Sequence, residues 1–420
     1  MKILSVVQGY APAVGGTEFL VQNIAESLVN DFGDEVTVFT TNCFNGEGFW
    51  NPSLPRMQTG WSEINGVKVL RFPVRSRVSQ ALRPAQKIAH ILKLPYNDWL
   101  RTYFGGPIIA GLQKEIAKFP ADVIAASSFP LLHMFDALAA GKASGKPVVI
   151  NGGIHPQDKW GFGRANIIQA VRESDLYLAY TGYETQYLGQ QGIPAEHIRV
   201  VGCGVHMDEF THIDPLEAKR ALGLPLDKPI IGFIGQIGLH KGVDTLIKAM
   251  PYVWEQFPEA HLLLAGSRAM YAQQLDSIIE TWPEAYRQRL HLFYNFPETQ
   301  KPTLFNAVDL FTYASGYESF GIAYLEAWAS KKPVIGTWSG AIPWVVSAGQ
   351  DGLLVHYHDH EELTEALLIL LRNPDWAKQM GERGYEKTLR QYTWKQVAQR
   401  FRDSYSFALE QRAVQSRKGL

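Results

Sequence analysis

Cysteine is nearly absent from these 420 residues, Cys43 and Cys203 being the whole complement. A disulfide framework and a cysteine-rich zinc site are thereby excluded, and the chain reads as one made for a reducing compartment. Net charge is lacking as well, with 40 Lys and Arg against 41 Asp and Glu. No global basic field draws the protein to nucleic acid, so an anionic partner must be met by a local patch. No apolar stretch approaches the roughly 20 uncharged residues that a membrane-spanning helix needs. The opening MKILSVVQGYAP holds a short apolar strand but neither a signal-peptide core nor a small-residue cleavage site. The expectation is a cytoplasmic protein, soluble or peripheral to the inner face of a membrane. Also missing are internal repeats, low-complexity segments, an Asp-x-Asp metal motif, a Gly-x-Gly-x-x-Gly fingerprint and a P-loop.

What is present is a 46% hydrophobic chain, long enough for two domains with separate cores. Short β-branched runs alternate with helical-period segments from end to end, which predicts parallel sheets covered by helices on both faces. The first half offers strands at 2–8, 35–41, 67–74, 121–127, 147–151, 176–181 and 198–202. A helix beginning near Thr17 brings Val21, Ile24, Ala25 and Leu28 onto one face. After Gly204 the alternation falters through a polar, Pro-containing stretch, read as a hinge. Strands resume at 229–235, 262–266, 290–294, 310–314, 333–337 and 353–356, a second doubly wound sheet. The domains expected are therefore 1–205, a linker at 206–228, and 229–392, followed by a helical tail at 393–420. Two such sheets joined by a hinge imply a cleft, with ligands outside the carboxyl ends of the strands.

The most informative text is GYESFGIAYLEAWASKKPVIG, residues 316–336. Glu318 and Glu326 flank a Phe320-Gly321 pair that opens an apolar helix. With a helix start near Phe320, the two carboxylates spread over roughly 12 Å at about 1.5 Å per residue. Between them the amides of Ser319, Phe320, Gly321 and Ile322 can receive a diphosphate, because unpaired N–H groups and the helix dipole favour negative charge. This arrangement suits a nucleoside diphosphate sugar. The plainer alternative is a dipole-stabilised helix charge at Glu318 and a solvated Glu326. Against it, Tyr324, Leu325 and Ala329 mark a packed side on which an unpaired carboxylate is costly.

The same sequence resembles the retaining family 4 glycosyltransferases of the GT-B fold, two Rossmann-like domains facing across a cleft. Their signature is this Glu, seven residues, Glu pattern, followed by a small-residue helix and a Pro-Val-Ile strand. The resemblance implies that Glu318 contacts the donor sugar and Glu326 the ribose. It also implies a tail helix that crosses back to the first domain.

After the strand IIGFIGQ, the run GLHKGVDTLI places Lys241 and Gly242 at a helix start, where a lysine can clamp a diphosphate. The alternative is a solvated surface lysine. The family has an arginine where this chain has Gln236, and a neutral amide cannot neutralise a leaving diphosphate. Arg268 and His240 are the candidate substitutes. By resemblance, the loop Tyr294, Asn295 and Phe296 meets the nucleobase, with a core role for Phe296 as the alternative. The Gly-rich turn Ser339 to Pro343 approaches the donor. Trp344 there either stacks on a sugar or fills a core.

In the first half, Gly15-Gly16-Thr17 follows the first strand into a helix, a flexible loop that brings amides close to an anion. By resemblance it lies over the donor phosphate and the acceptor; alternatively it is an ordinary turn with Thr17 as N-cap. His155 follows the fifth expected strand, where family members carry a histidine that bonds the donor sugar, though usually without two intervening residues. A structural histidine is the alternative. Asp158 and Trp160 are candidate acceptor contacts. From Arg71 to Arg101 seven basic residues face one acid, Asp98, with Ile88, Ile91 and Leu92 among them. Such a stretch fits an anionic membrane and a lipid-linked acceptor, a phosphorylated glycan, or a solvated helix face.

The function implied is metal-independent, retaining transfer of a hexosyl unit from a nucleoside diphosphate sugar to a hydroxyl of a glycan, lipid-linked or small-molecule acceptor. The donor is a substrate and no cofactor is implied. Lys241, Glu318 and His155 carry the chemistry. A nucleotide-sugar epimerase or hydrolase, and a non-catalytic two-lobed sugar-binding protein, stay open as alternatives.

Overall fold

The computed structural model describes residues 1–13, 15–267 and 272–418. The chain divides into two compact units, one formed by Met1–Gly202 together with the segment from Trp394, the other by Cys203–Thr393. Arg268 lies outside the described residues.

The first unit is built on β1 (Lys2–Val6), β2 (Glu35–Thr41), β3 (Gly60–Ile64), β4 (Val67–Phe72), β5 (Val123–Ser127), β6 (Val148–Asn151), β7 (Leu176–Ala179) and β8 (Ile198–Val200). They form one sheet in the order β3-β4-β2-β1-β5-β6-β7-β8. Every pairing is parallel except β3 with β4. The inner strands are buried on both faces, which is why they read as unbroken apolar runs. The edge strand β3 is not expected from periodicity, since Gly60–Ile64 shows no apolar–polar alternation and is mostly exposed. It pairs through a tight turn at Asn65-Gly66, both at positive φ, with Ile64 opposite Val67. The helix Gly16–Asn30 buries Leu20, Val21, Ile24, Ala25 and Leu28 on one face, as its spacing predicts. The helix Trp394–Lys418 packs against it, with Phe401 and Tyr405 buried.

The second unit has β9 (Ile230–Ile234), β10 (His261–Gly266), β11 (Leu290–Tyr294), β12 (Leu310–Thr312), β13 (Val334–Thr337) and β14 (Gly352–Val355), all parallel. Their order, β11-β10-β9-β12-β13-β14, is the doubly wound one with its reversal between β9 and β12. The polar stretch read as a hinge is helical at Met207–Thr211 and Pro215–Ala221, and it belongs to this unit. Asp214 caps the second of these helices by accepting from the amides of Leu216 and Glu217 at 2.9 and 3.0 Å, with Pro215 in the first turn. The buried Lys219 donates to Asp309 at 2.8 Å, and Asn306 donates to the Phe210 carbonyl at 2.9 Å. Charges that suggest a solvated linker thus anchor two short helices.

Candidate active site

In the second unit the reversal of strand order leaves a gap beyond β9 and β12, and the loops after these strands are stitched together. The Gly316 amide donates to the His240 carbonyl at 2.8 Å, and the Ser315 hydroxyl donates to the same oxygen at 3.0 Å. Gly242 takes φ 71° before the helix Val243–Gln256, and a Cβ there would overlap the carbonyl oxygen of Ala314. Only glycine permits both the left-handed backbone and that close approach. As a result Lys241 Nζ reaches Glu318 Oε1 at 2.7 Å, with the side chains 16% and 12% exposed. Neither is a freely solvated surface charge. The His240 ring stacks on Tyr317 at 5.5 Å between centroids. Burial and the neighbouring Lys241 push its pKa below the ordinary value against an opposing pull from Glu318, so the imidazole is neutral near pH 7.

The helix expected from Phe320 begins at Ile322. Phe320 is buried edge-on against Tyr392, and Gly321 adopts φ 92° with no side-chain cap. A Cβ on Gly321 would come within 2.7 Å of the Tyr324 ring, which fixes this turn. Glu318 and Ser319 accordingly stand in the loop before the helix, and no side chain caps the helix start at Ile322.

A cavity of about 280 Å³ opens at the same end of the sheet, lined among others by Gln236, Ser267, Phe296, Lys301 and Glu326. Phe296 is half-buried on its wall, not in the core, and Gln236 is exposed. Glu326 is not a solvated helix charge: Lys301 Nζ lies 3.1 Å from its Oε1 and 2.7 Å from Glu298 Oε2. Burial raises the Glu326 carboxyl, and Lys301 opposes it. Burial lowers Lys301 in turn, but the two carboxylates outweigh it and hold the ammonium above its ordinary range. Lys301 is absent from the sequence reading because no motif frames it. Its position one residue before Pro302 gives no signal. Trp344 is 54% exposed and does not fill a core.

In the first unit, Gly15 caps the helix Gly16–Asn30 without a side-chain bond, so Thr17 is not the N-cap. Glu18 folds back so that a Cβ on Gly9 or Gly15 would touch its side chain, and it accepts from Gln8 Nε2 at 3.0 Å. The loop read as an anion cradle therefore carries its own carboxylate, whose pKa burial raises. An acid two residues after a Gly-Gly pair is the signal that could have pointed to it. Beyond β6 the loop Gly152-Gly153-Ile154-His155 leads to His155, half-buried with its ring 5.3 Å from that of Phe162. Asp158 caps the short helix Lys159–Phe162 by accepting from the Gly161 amide at 2.7 Å. The Arg101 guanidinium lies 3.7 Å over the exposed Trp160 ring, whose edge meets His90. Arg101 is itself buried, as is Arg71, which donates to Ser62 Oγ at 2.7 Å and to the Ala11 carbonyl. The basic row thus loses two of its seven members to the interior. Among the described residues no group of three or more His, Cys, Asp or Glu is placed to hold a metal ion.

Residues 14–209 match the model of glycosyltransferase family 4, and residues 215–387 match that of glycosyl transferases group 1. The chain belongs to the family 4 glycosyltransferases. It is 29% identical over 248 residues to D-inositol 3-phosphate glycosyltransferase of Corynebacterium aurimucosum, covering 57% of this chain and 59% of the relative. The match to alpha-maltose-1-phosphate synthase of Mycolicibacterium smegmatis is 30% over 194 residues, covering 44% of this chain and 49% of the relative. The chain thus spans about half the length of the curated relatives it matches. Among solved structures, sucrose-phosphate synthase of Thermosynechococcus elongatus superposes with a TM-score of 0.69 at 19% identity, covering 97% of this chain and 98% of the other. Anabaena HepE in complex with UDP gives a TM-score of 0.71 at 18% identity, covering 97% and 100%. This family 4 chain therefore has the GT-B fold, two Rossmann-like domains, as its sequence implied.

Proposed function

We propose that the protein is a retaining, metal-independent hexosyltransferase using a nucleoside diphosphate sugar. The observation that carries this is the Lys241–Glu318 pair, 2.7 Å apart in the loops after β9 and β12, at the end of the sheet where Glu326 lines the cavity. Lys241 is assigned the diphosphate, together with the amides beginning at Ile322, whose positive helix end favours the same charge. Glu318 takes the sugar hydroxyls, and Glu326, paired with Lys301 at 3.1 Å, takes the ribose diol. When the donor binds, Lys241 exchanges one oxygen anion partner for another. His155, with Gly15, Gly16, Thr17 and Trp160, is assigned to the first unit's share of sugar and acceptor. A phosphate oxygen of the leaving group accepts the acceptor's proton, so no protein base is required. The HepE structures contain UDP or UDP-glucose, and the Corynebacterium relative is named for transfer to an inositol phosphate. UDP-hexoses and phosphorylated polyols therefore head the substrate panel.

The test is transfer with that panel, read by NMR of the product anomer and repeated in excess chelator. Inversion at the anomeric carbon, or loss of rate with chelator, overturns the mechanism; donor turnover independent of any acceptor favours the hydrolase or epimerase. Glu326→Ala should weaken nucleoside diphosphate binding about 10- to 100-fold, the worth of hydrogen bonds to a charged group. Glu318→Ala should leave that affinity within a few-fold and lower kcat instead, as calorimetry beside kinetics will show.

The acceptor is proposed to be presented at an anionic membrane surface. No helix among the described residues is long and apolar enough to cross a membrane. The helix Ser76–Ile91 and the turn after it expose Ile88, Ile91, Leu92 and Tyr96, while Arg75, Arg77, Arg83, Lys87 and Lys93 remain exposed around them. Residues 64–97 contain no acid. Apolar side chains ringed by cations suit anionic lipid, each cation adding about 1 kcal/mol near the surface. Flotation with phosphatidylglycerol vesicles should fall at least about 10-fold in Ile91→Asp/Leu92→Asp. Equal flotation of variant and parent would remove this surface from the proposal.

A further inference from the structure

Glu184 has no part in the roles assigned above, yet it is 3% exposed in the first unit and fully engaged. Its Oε1 accepts from the Ile154 amide at 2.7 Å and from the Tyr177 hydroxyl, and its Oε2 accepts from the Tyr180 amide at 2.9 Å. The first of these bonds spans 30 residues, from the helix Gly182–Gln190 to the residue next to His155. The same tyrosines shape the rest of that loop. A Cβ on Gly152 would come within 2.5 Å of the Tyr177 hydroxyl, and Gly153, at φ 59°, packs against the Tyr180 ring. Tyr177 and Tyr180 thus impose two glycines, and the carboxylate binds both residues, one by its hydroxyl and the other by its amide.

We propose that Glu184 is a positioning residue for His155, acting through the Gly152–His155 loop as a three-donor clamp. The proposal rests on the assignment of His155 to the donor sugar. The clamp has a protonation requirement, because all three partners are donors. A carboxylate accepts from all of them, whereas a carboxylic acid brings a fourth donor and must give up one bond. The groups facing it are the Tyr177 phenol and the Ile154 and Tyr180 amides, with His155 one residue beyond the clamped amide. Burial raises the Tyr177 phenol far above neutrality, so it stays protonated, and burial lifts Glu184 to about 7 against the pull of its donors. The clamp is thus complete above neutrality and opens as the pH falls through about 7.

The test uses the full chain in four forms: parent, Glu184→Gln, His155→Ala and the double variant. Glutamine keeps the shape but turns an N–H toward a donor, so it should speed hydrogen exchange at the Ile154 and Tyr180 amides at least about 10-fold. It should also lower kcat about 10- to 100-fold, the cost of a misplaced reacting group, while leaving nucleoside diphosphate affinity unchanged. The loss of rate below pH 7 should disappear in Glu184→Gln, and the double variant should be no slower than the slower single one. Unchanged amide exchange overturns the clamp. Faster exchange with additive rate losses overturns its action through His155. A silent His155→Ala with faster exchange in Glu184→Gln instead leaves the clamp standing and removes the role assigned to His155.

Discussion

Replacing Lys241 with methionine is expected to lower kcat for sugar transfer about 100- to 1000-fold, the usual loss when one preorganised stabiliser of leaving-group charge is removed. In this chain the dependence should lie at the upper end. Gln236 is a neutral amide, so it cannot take over the positive charge. Removing Lys241 also leaves Glu318, only 12% exposed, without its 2.7 Å partner. An unpaired, partly buried carboxylate repels an incoming diphosphate and is costly in itself. Glu318→Gln combined with Lys241→Met should therefore lose less than the product of the two single losses. Single-turnover kinetics of the four forms measure this directly, and a Lys241→Met rate within 3-fold of the parent's would refute the assignment.

Gly242→Ala should have the largest effect on stability, destabilising the second unit by about 3–5 kcal/mol. Two costs coincide at this position. Alanine at φ 71° is strained, at about 1–2 kcal/mol, and its Cβ would overlap the Ala314 carbonyl, a backbone atom that cannot swing aside as a flexible side chain would. The helix Val243–Gln256 and the end of β12 must part, taking with them the bonds from Gly316 and Ser315 to the His240 carbonyl. For a unit of this size the melting temperature should drop by roughly 6–20 °C, at about 2–4 °C per kcal/mol. Calorimetry should resolve this transition from that of the first unit. A drop below about 2 °C would mean that the loop relaxes at little cost.

Much of this was legible in the sequence because the inner strands are buried on both faces, and β-branched runs at regular spacing have few other uses. Glu318, Glu326 and Lys241 stood out through the motif that frames them. Their partners did not. That Lys241 meets Glu318 depends on Gly242 lying flush against Ala314, a contact across 72 residues that no local pattern encodes. Glu184 was hidden for another reason. Thr181-Gly-Tyr-Glu184 reads as a capping box, in which the acid serves its own helix end. Thr181 makes no side-chain cap, and the carboxylate instead ties the helix start to a neighbouring loop. In the basic row from Arg71 to Arg101, charge alone does not mean exposure. Two of its arginines turn inward, which periodicity does not reveal.

The helix Trp394–Lys418 completes the unit to which Met1–Gly202 belongs, and this reorders the birth of the molecule. As the ribosome delivers the chain, Leu20, Val21 and Ile24 emerge near the beginning, while Phe401 and Tyr405, which pack at the same apolar seam, appear some 380 positions later. The entire second unit is translated in the interval and has all its own strands before the first can close. The half of the protein synthesised first is thus the last to be sealed. Through most of translation it carries an uncovered greasy flank of the kind that invites aggregation and engages chaperones.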